Sequence, residues 1–225
     1  MARSLVFVLA LLSALYACTP QMALLSALSN GAVPIMLGNL EGVSENNRRR
    51  LAELDQRGDW QGLAQFAEEN LAKDGTNADW WTVAGYAYSR LGRHSRAIEC
   101  YAEAVRFAPD EITGWNLLAQ AYREAGQPAR AVDTLNKALL IRQDSPATFY
   151  LLGESFSDLG RMQPAVDAYQ RALKLNAEFT QAWFGMGRAY VRLERYAEAA
   201  DIVKVLEKPD PGLAAELSRL LAQRK

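Results

Sequence analysis

The stretch Asp79–Pro109, DWWTVAGYAYSRLGRHSRAIECYAEAVRFAP, decides the fold. Apolar residues recur in it at helical spacing, first as Trp81, Ala84, Tyr88 and Leu91, then as Ala97, Tyr101, Ala104 and Val105. Gly92 falls between the two runs and suits a helix end, and Pro109 marks a turn after the second. The stretch therefore reads as a helix, a tight turn and a second helix.

The same unit returns three more times without an insertion. Trp81, Trp115, Phe149 and Trp183 are spaced by 34 residues throughout. The other landmarks keep that interval: Gly85, Ala119, Gly153 and Gly187; Tyr88, Tyr122, Phe156 and Tyr190; Ala97, Ala131, Ala165 and Ala199; Tyr101, Leu135, Tyr169 and Val203. Gly126 and Gly160 follow Gly92, and Pro146 and Pro211 mark later turns. A period of this length marks stacked helical units, each too small to bury its apolar face alone. Gly85, Gly153 and Gly187 fall inside helices, where Gly costs roughly 1 kcal/mol against Ala. Close approach of the two helices within a unit is the expected reason.

Together these landmarks resemble the tetratricopeptide repeat family. Its Trp-x2-Leu-Gly-x2-Tyr, Ala-x3-Phe and late-Pro pattern is met by Trp81, Ala84, Gly85, Tyr88, Ala97, Tyr101 and Pro109, and the resemblance spans about Ala78 to Pro211. It implies an all-α fold, a right-handed α-solenoid of helix-turn-helix units. Units are expected at 78–111, 112–145, 146–179 and 180–211. One period earlier, Leu54, Gly58, Leu63 and Ala67 keep the register, while Asn47 stands at the aromatic position, so 44–77 reads as a degenerate first unit. Leu213, Leu217, Leu220 and Leu221 form one stripe after Pro211, so 212–225 reads as a capping helix. The repeats and cap read as one elongated domain.

Residues 1–17 read as an export signal. Arg3 gives a positive start, Leu5–Leu15 is an apolar run too short to span a bilayer comfortably, and Leu15-Tyr16-Ala17-Cys18 resembles a bacterial lipoprotein box with Cys18 as the lipidated residue. A plain signal peptide and an uncleaved anchor are the alternatives. Thr19 after the cysteine implies, by the habit of that class, an outer-membrane lipoprotein facing the periplasm. The segment 18–43 is apolar and broken by Asn30-Gly31 and Pro34, which suits packing on the first repeats or lying on lipid better than crossing a membrane.

Half the residues are apolar, 23% are charged and the net charge is −1, which gives no electrostatic case for nucleic acid. Arg48-Arg49-Arg50 is the single basic run and reads as a solvated helix face. Enzyme signatures are missing. His94 is the lone histidine, no phosphate loop or cysteine cluster occurs, and Gly153-Glu154-Ser155-Phe156-Ser157 lacks the closing glycine of a nucleophile elbow. Cys100 reads as a packing residue. No cofactor and no metal is expected.

The family resemblance implies that the first helix of each pair lines a concave face. Thr82, Tyr86, Asn116, Gln120, Arg123, Tyr150, Glu154, Phe184 and Arg188 are the expected partner-binding residues, a mixture of rings, amides and charges suited to a peptide. The basic clamp of chaperone-tail binders is not carried over, since Thr82, Tyr86, Leu117, Ala147 and Leu151 stand at the matching positions. The expected function is a non-catalytic scaffold or adaptor of an envelope complex, such as a pilus, secretion or cell-wall assembly. The alternatives are a self-associating structural lipoprotein and an accessory subunit of an enzyme or export complex.

Overall fold

The computed structural model describes residues 40 and 42–223; the leader and Cys18 lie outside them. Every regular element among the described residues is a helix. In chain order they are α1 (Glu45–Gln56), α2 (Trp60–Leu71), α3 (Ala78–Arg90), α4 (His94–Phe107), α5 (Ile112–Glu124), α6 (Pro128–Ile141), α7 (Pro146–Asp158), α8 (Met162–Leu175), α9 (Thr180–Arg192), α10 (Tyr196–Leu206) and α11 (Pro211–Ala222). The chain divides into two compact units, Met1–Phe107 and Ala108–Lys225. A solenoid permits such a division, because each repeat contacts only its neighbours.

The starts and stops of the helices have local causes. The Asn77 carboxamide caps α3 by accepting from the N–H groups of Asp79 and Trp80, and Asp59, Ser145 and Asp210 cap α2, α7 and α11 in the same manner. At the turn within each repeat the chain enters the left-handed region: φ is +69° at Gly92, +70° at Gly126 and +73° at Gly160. The N–H of Arg93 then reaches the carbonyl of Tyr88 at 2.9 Å, and Gln127, Arg161 and Arg195 repeat this bond to Tyr122, Phe156 and Tyr190. A guanidinium also covers each of these rings: Arg93 on Tyr88, Arg130 on Tyr122, Arg161 on Phe156 and Arg195 on Tyr190. The helix end and the next helix start are thus fastened by one ring and one cation.

The fourth of these turns breaks the rule. Glu194 stands where the other units have glycine, at φ +60°. A left-handed conformation costs a side-chain-bearing residue roughly 1–2 kcal/mol. Glu194→Gly is therefore expected to stabilise the chain by about 1 kcal/mol, seen as a higher urea midpoint at unchanged slope. An unchanged or lower midpoint refutes the strain.

In unit Met1–Phe107, α1 to α4 pack in sequence around Leu51, Leu63, Ala67, Val83, Ala84 and Ala97, all fully buried. The Cβ position that Gly85 leaves open lies 2.7 Å from the Tyr101 ring, the close approach expected of that glycine. Leu40 and Val43 are buried, the Gly42 N–H donates to Asp79 and the Asn77 amide donates to the Gly42 carbonyl, so this short piece of the apolar segment docks on the start of α3. The basic run is engaged locally: Arg48 donates to the Val43 carbonyl and Arg50 covers the Phe66 ring. His94 is the first residue of α4. Cys100 is 3% exposed, and burial pushes its thiol up to about 11, as suits a packing residue.

In unit Ala108–Lys225, α5 to α11 pack in sequence, and the first helices of successive repeats also touch: α5 on α7, α7 on α9, α9 on α11. Tyr169 of α8 is the centre of this packing and is fully buried. Its ring fills the space beside two glycines, lying 2.6 Å from the missing Cβ of Gly153 on α7 and 2.7 Å from that of Gly185 on α9. The cap α11 buries Ala214, Leu217 and Leu221, and Leu217 fills the space beside Gly187.

The repeated aromatic has a polar task as well as an apolar one. The indole N–H of Trp81 donates to the Gly75 carbonyl, that of Trp115 to Pro109 and that of Trp183 to Ala177, each at 2.8 Å. Each indole latches the turn that leads into its own helix. Phe149 has no such donor. There, the Thr148 hydroxyl donates to Asn116 Oδ1 at 3.0 Å and lies 2.8 Å from the Ser145 hydroxyl, with all three side chains buried.

Candidate partner-binding face

The contact of α5, α7 and α9 sets Gln120 and Arg123, then Tyr150 and Glu154, then Phe184 and Arg188 on successive helices of one layer. Glu154 is the centre of their charges. Its carboxylate accepts from Arg123 Nη2 at 3.3 Å, from Arg188 Nη2 at 3.3 Å and from the Tyr169 hydroxyl at 2.5 Å. Arg123 also donates from Nε to Asp158 at 2.7 Å. The Arg123 and Glu154 side chains are 17% and 14% exposed, so water screens their contact little. Burial works against the charge on Arg123, but its hydrogen bond to Asp158 and the Glu154 and Asp158 charges raise its affinity for the proton. Burial, reinforced by the charge of Glu154, keeps the Tyr150 and Tyr169 hydroxyls protonated. Carboxylate, guanidinia and phenol thus form one network across three repeats.

The rings are placed by the same packing. Tyr150 leans on Phe179, centroid to centroid 4.9 Å, and on Tyr169 at 6.1 Å. Phe184 is half-buried with the Arg188 guanidinium 5.5 Å from its centroid. Gln120 donates to Glu124 on its own helix. Asn116 is different from its expected place on an open face. It is 1% exposed, because its amide oxygen is drawn to Thr148 of the next repeat.

In the first unit, Thr82 donates its hydroxyl to the Ala78 carbonyl, an interaction internal to α3. Tyr86 is 8% exposed, donates to Asp55 and meets the Trp60 ring edge-on at 5.9 Å, while the Arg90 guanidinium covers the same Trp60 ring at 4.5 Å. Burial raises the Asp55 carboxyl above its usual range, against the Tyr86 hydrogen bond. These residues fasten α1, α2 and α3 together. The Gly153–Ser157 stretch lies within α7, and the Ser155 hydroxyl is buried and donates to the Leu151 carbonyl, which leaves it no nucleophile geometry.

Sequence reading missed the hub role of Glu154 and the part of Tyr169 in it. A signal existed: Glu154 and Arg188 occupy one register position in adjacent repeats with opposite charge, and Arg123 lies close to the corresponding position before them. Tyr169 belongs to a second helix, which the register argument assigned to packing alone.

Known proteins agree with this architecture. Models described as Tetratricopeptide repeat match residues 77–120 and 150–214, and one described as Anaphase-promoting complex, cyclosome, subunit 3 matches residues 101–172. These matches support the tetratricopeptide repeat family. No curated protein matches the chain. Among solved structures, MamA is 22% identical with a TM-score of 0.59, over 76% of this chain and 95% of that one. TTC0263, a thermophilic TPR protein of Thermus thermophilus, is 18% identical with a TM-score of 0.63, over 77% and 96%. YrrB, described as a TPR protein with an unusual peptide-binding site, is 16% identical with a TM-score of 0.59, over 75% and 88%. The fold is that of a tetratricopeptide-repeat solenoid.

Proposed function

We propose that the chain is a non-catalytic interaction protein that holds a polypeptide segment of a partner on the first-helix face of its second unit. Gln120, Arg123, Tyr150, Glu154, Phe184 and Arg188 are the contacts. The observation that carries this reading is the Glu154 network, which fixes side chains of α5, α7 and α9 relative to one another before a partner arrives. Preorganised rings and charges lose less freedom on binding. Thr82, Tyr86 and Asn116, engaged in packing, give position rather than contact area. YrrB supports peptide binding as a use of this fold.

Phe184→Ala is the test, because its ring is half-buried and Tyr150 is needed by Phe179 and Tyr169. It is expected to weaken partner capture by about 2 kcal/mol, while Arg130→Ala in α6 changes it little. A photo-crosslinking residue at position 184 is expected to trap a partner in cells. Trapping only from position 137, one turn from exposed Ile141 and close to Leu140, which is 82% exposed, would favour self-association instead. Equal capture by both alanine variants, with helix content unchanged, refutes the assignment.

The proposed location is the bacterial envelope, with Cys18 as lipid anchor. Its support is the leader alone: Arg3, the apolar run Leu5–Leu15 and the box ending at Ala17-Cys18. Cys18→Ala is expected to leave the leader uncut or to release a soluble form. Identical fractionation and identical N-terminal mass for both proteins would overturn it.

A further inference from the structure

Among the described residues the exposed large apolar side chains are Leu140, Ile141, Leu175 and Val205, at 82%, 40%, 44% and 43% exposure. None lies on a first helix. All four stand in the last two residues of a second helix, α6, α8 or α10. Apolar residues scattered singly on a surface are ordinary, but a row at one end of successive helices is not. The charges beside them follow a matching rule. Where α4 carries the ion pair of Glu103 and Arg106, at 2.5 Å, the same two register positions hold Lys137 and Leu140 in α6, then Arg171 and Lys174 in α8. Neither keeps the acid. Lys137 and Lys174 are exposed and join no ion pair or hydrogen bond among the described residues. Arg171 is exposed too, with its guanidinium 5.7 Å from the Phe149 ring centroid. With Arg142 counted in, the stretches from Lys137 to Asp144 and from Arg171 to Glu178 set four cations against two acids, Asp144 and Glu178. Asp133 and Asp167 lie one turn nearer the helix starts, where Asp167 accepts from Gln163. The end of α10 repeats the arrangement less cleanly, with Glu207 between Val205 and Lys208.

We propose that the ends of α6 and α8 rest on an anionic lipid surface, with Leu140, Ile141 and Leu175 entering the acyl boundary and Lys137, Arg171 and Lys174 meeting the headgroups. The proposal concerns the second helices and is independent of the partner face on α5, α7 and α9. Both classes of side chain contribute. A cation near an anionic surface contributes about 1 kcal/mol, screened by salt, and the apolar side chains add the area they bury. Long basic side chains let one plane serve both, the stem lying along the apolar region while the charged head stays in water. A second copy of the chain fits less well, because a two-fold contact of this patch with itself would set its excess of cations face to face.

An environment-sensitive dye at position 140 provides the test. The full chain carries Cys18→Ala and Leu140→Cys and is labelled at 140, since Cys100 is buried away from the reagent. On vesicles of equal parts phosphatidylglycerol and phosphatidylcholine the dye is expected to brighten severalfold and shift to the blue, and on phosphatidylcholine alone to stay dark. The same dye on Ser218→Cys, exposed on α11, is expected to stay dark on both. Lys137→Gln with Lys174→Gln should require about tenfold or more lipid for the same brightening at position 140. Phe184→Ala should leave the brightening unchanged. The readout is local, so a chain held to vesicles by its leader alone leaves position 140 dark. A dye that stays dark at 140 on the anionic vesicles, or brightens equally on both compositions, overturns the inference. So does an unchanged lipid requirement in the double lysine variant. Brightening without vesicles that grows with protein concentration overturns it in favour of a second copy. Each of these outcomes leaves the capture of a partner at Phe184 to its own measurement.

Discussion

Gly153→Ala is expected to destabilise the parent chain by about 2 kcal/mol and to stabilise a chain in which Tyr169 is alanine. The reason is geometric. An added Cβ at Gly153 lies 2.6 Å from a Tyr169 ring carbon, and the fully buried ring also packs beside Gly185 of α9, where an added Cβ would lie 2.7 Å from it, so it has little room to retreat. Tyr169→Ala alone should cost about 4 kcal/mol, since it opens a cavity in a fully buried site. With the ring gone, the only remaining effect of Gly153→Ala is the helix preference for alanine, worth about 1 kcal/mol. The sign reversal is the diagnostic. Additive costs in urea denaturation of the two single variants and the double variant would show that ring and glycine do not meet.

Glu154→Ala is the second large effect, expected at about 3 kcal/mol. The substitution leaves Arg123, 17% exposed, with Asp158 alone, and leaves the Tyr169 hydroxyl with only the Ser157 hydroxyl at 3.4 Å. Removing one member of a buried network costs more than the pair is worth, because the partner stays buried and unpaired. Arg188 should contribute little to the loss, since at 41% exposure it recovers water. A loss below about 1 kcal/mol in the same measurement would mean that the network is solvent-screened and does not organise the face.

The helix pairs, the turn glycines and the contacts of Gly85 and Gly153 were legible because each repeats at a fixed interval, and repetition separates a structural requirement from accident. Glu194 was legible in principle, as the one departure from the glycine row. The features that escaped the sequence arise between repeats, not within them. Gly185 has no counterpart in its register, yet it receives Tyr169 from the preceding repeat. Asn116 was placed on the open face by its register with Tyr150 and Phe184, and it turned inward because Thr148 offers it a buried partner. Tyr86 stands on the right helix, but Asp55 and Trp60 claim its two ends. Glu154 was assigned to the face, while its central role depends on how far successive helices are rotated against one another, which spacing along one chain does not state.

The unlatched Phe149 has a consequence for modular engineering. The repeats that begin with an indole carry the donor of their turn fastener and take from the stretch before them only a backbone carbonyl, which any neighbour supplies if they are copied, deleted or shuffled. The repeat of α7 and α8 does not. Its fastener is shared, with Ser145 and Thr148 on one side and Asn116 supplied by the repeat before it. The residues in the register of Asn116 elsewhere are Thr82, Tyr150 and Phe184, none of which carries an amide. This repeat is therefore a part matched to its predecessor, and a chimaera that gives it another neighbour would take Asn116 from the buried Thr148 hydroxyl and leave it Ser145 alone.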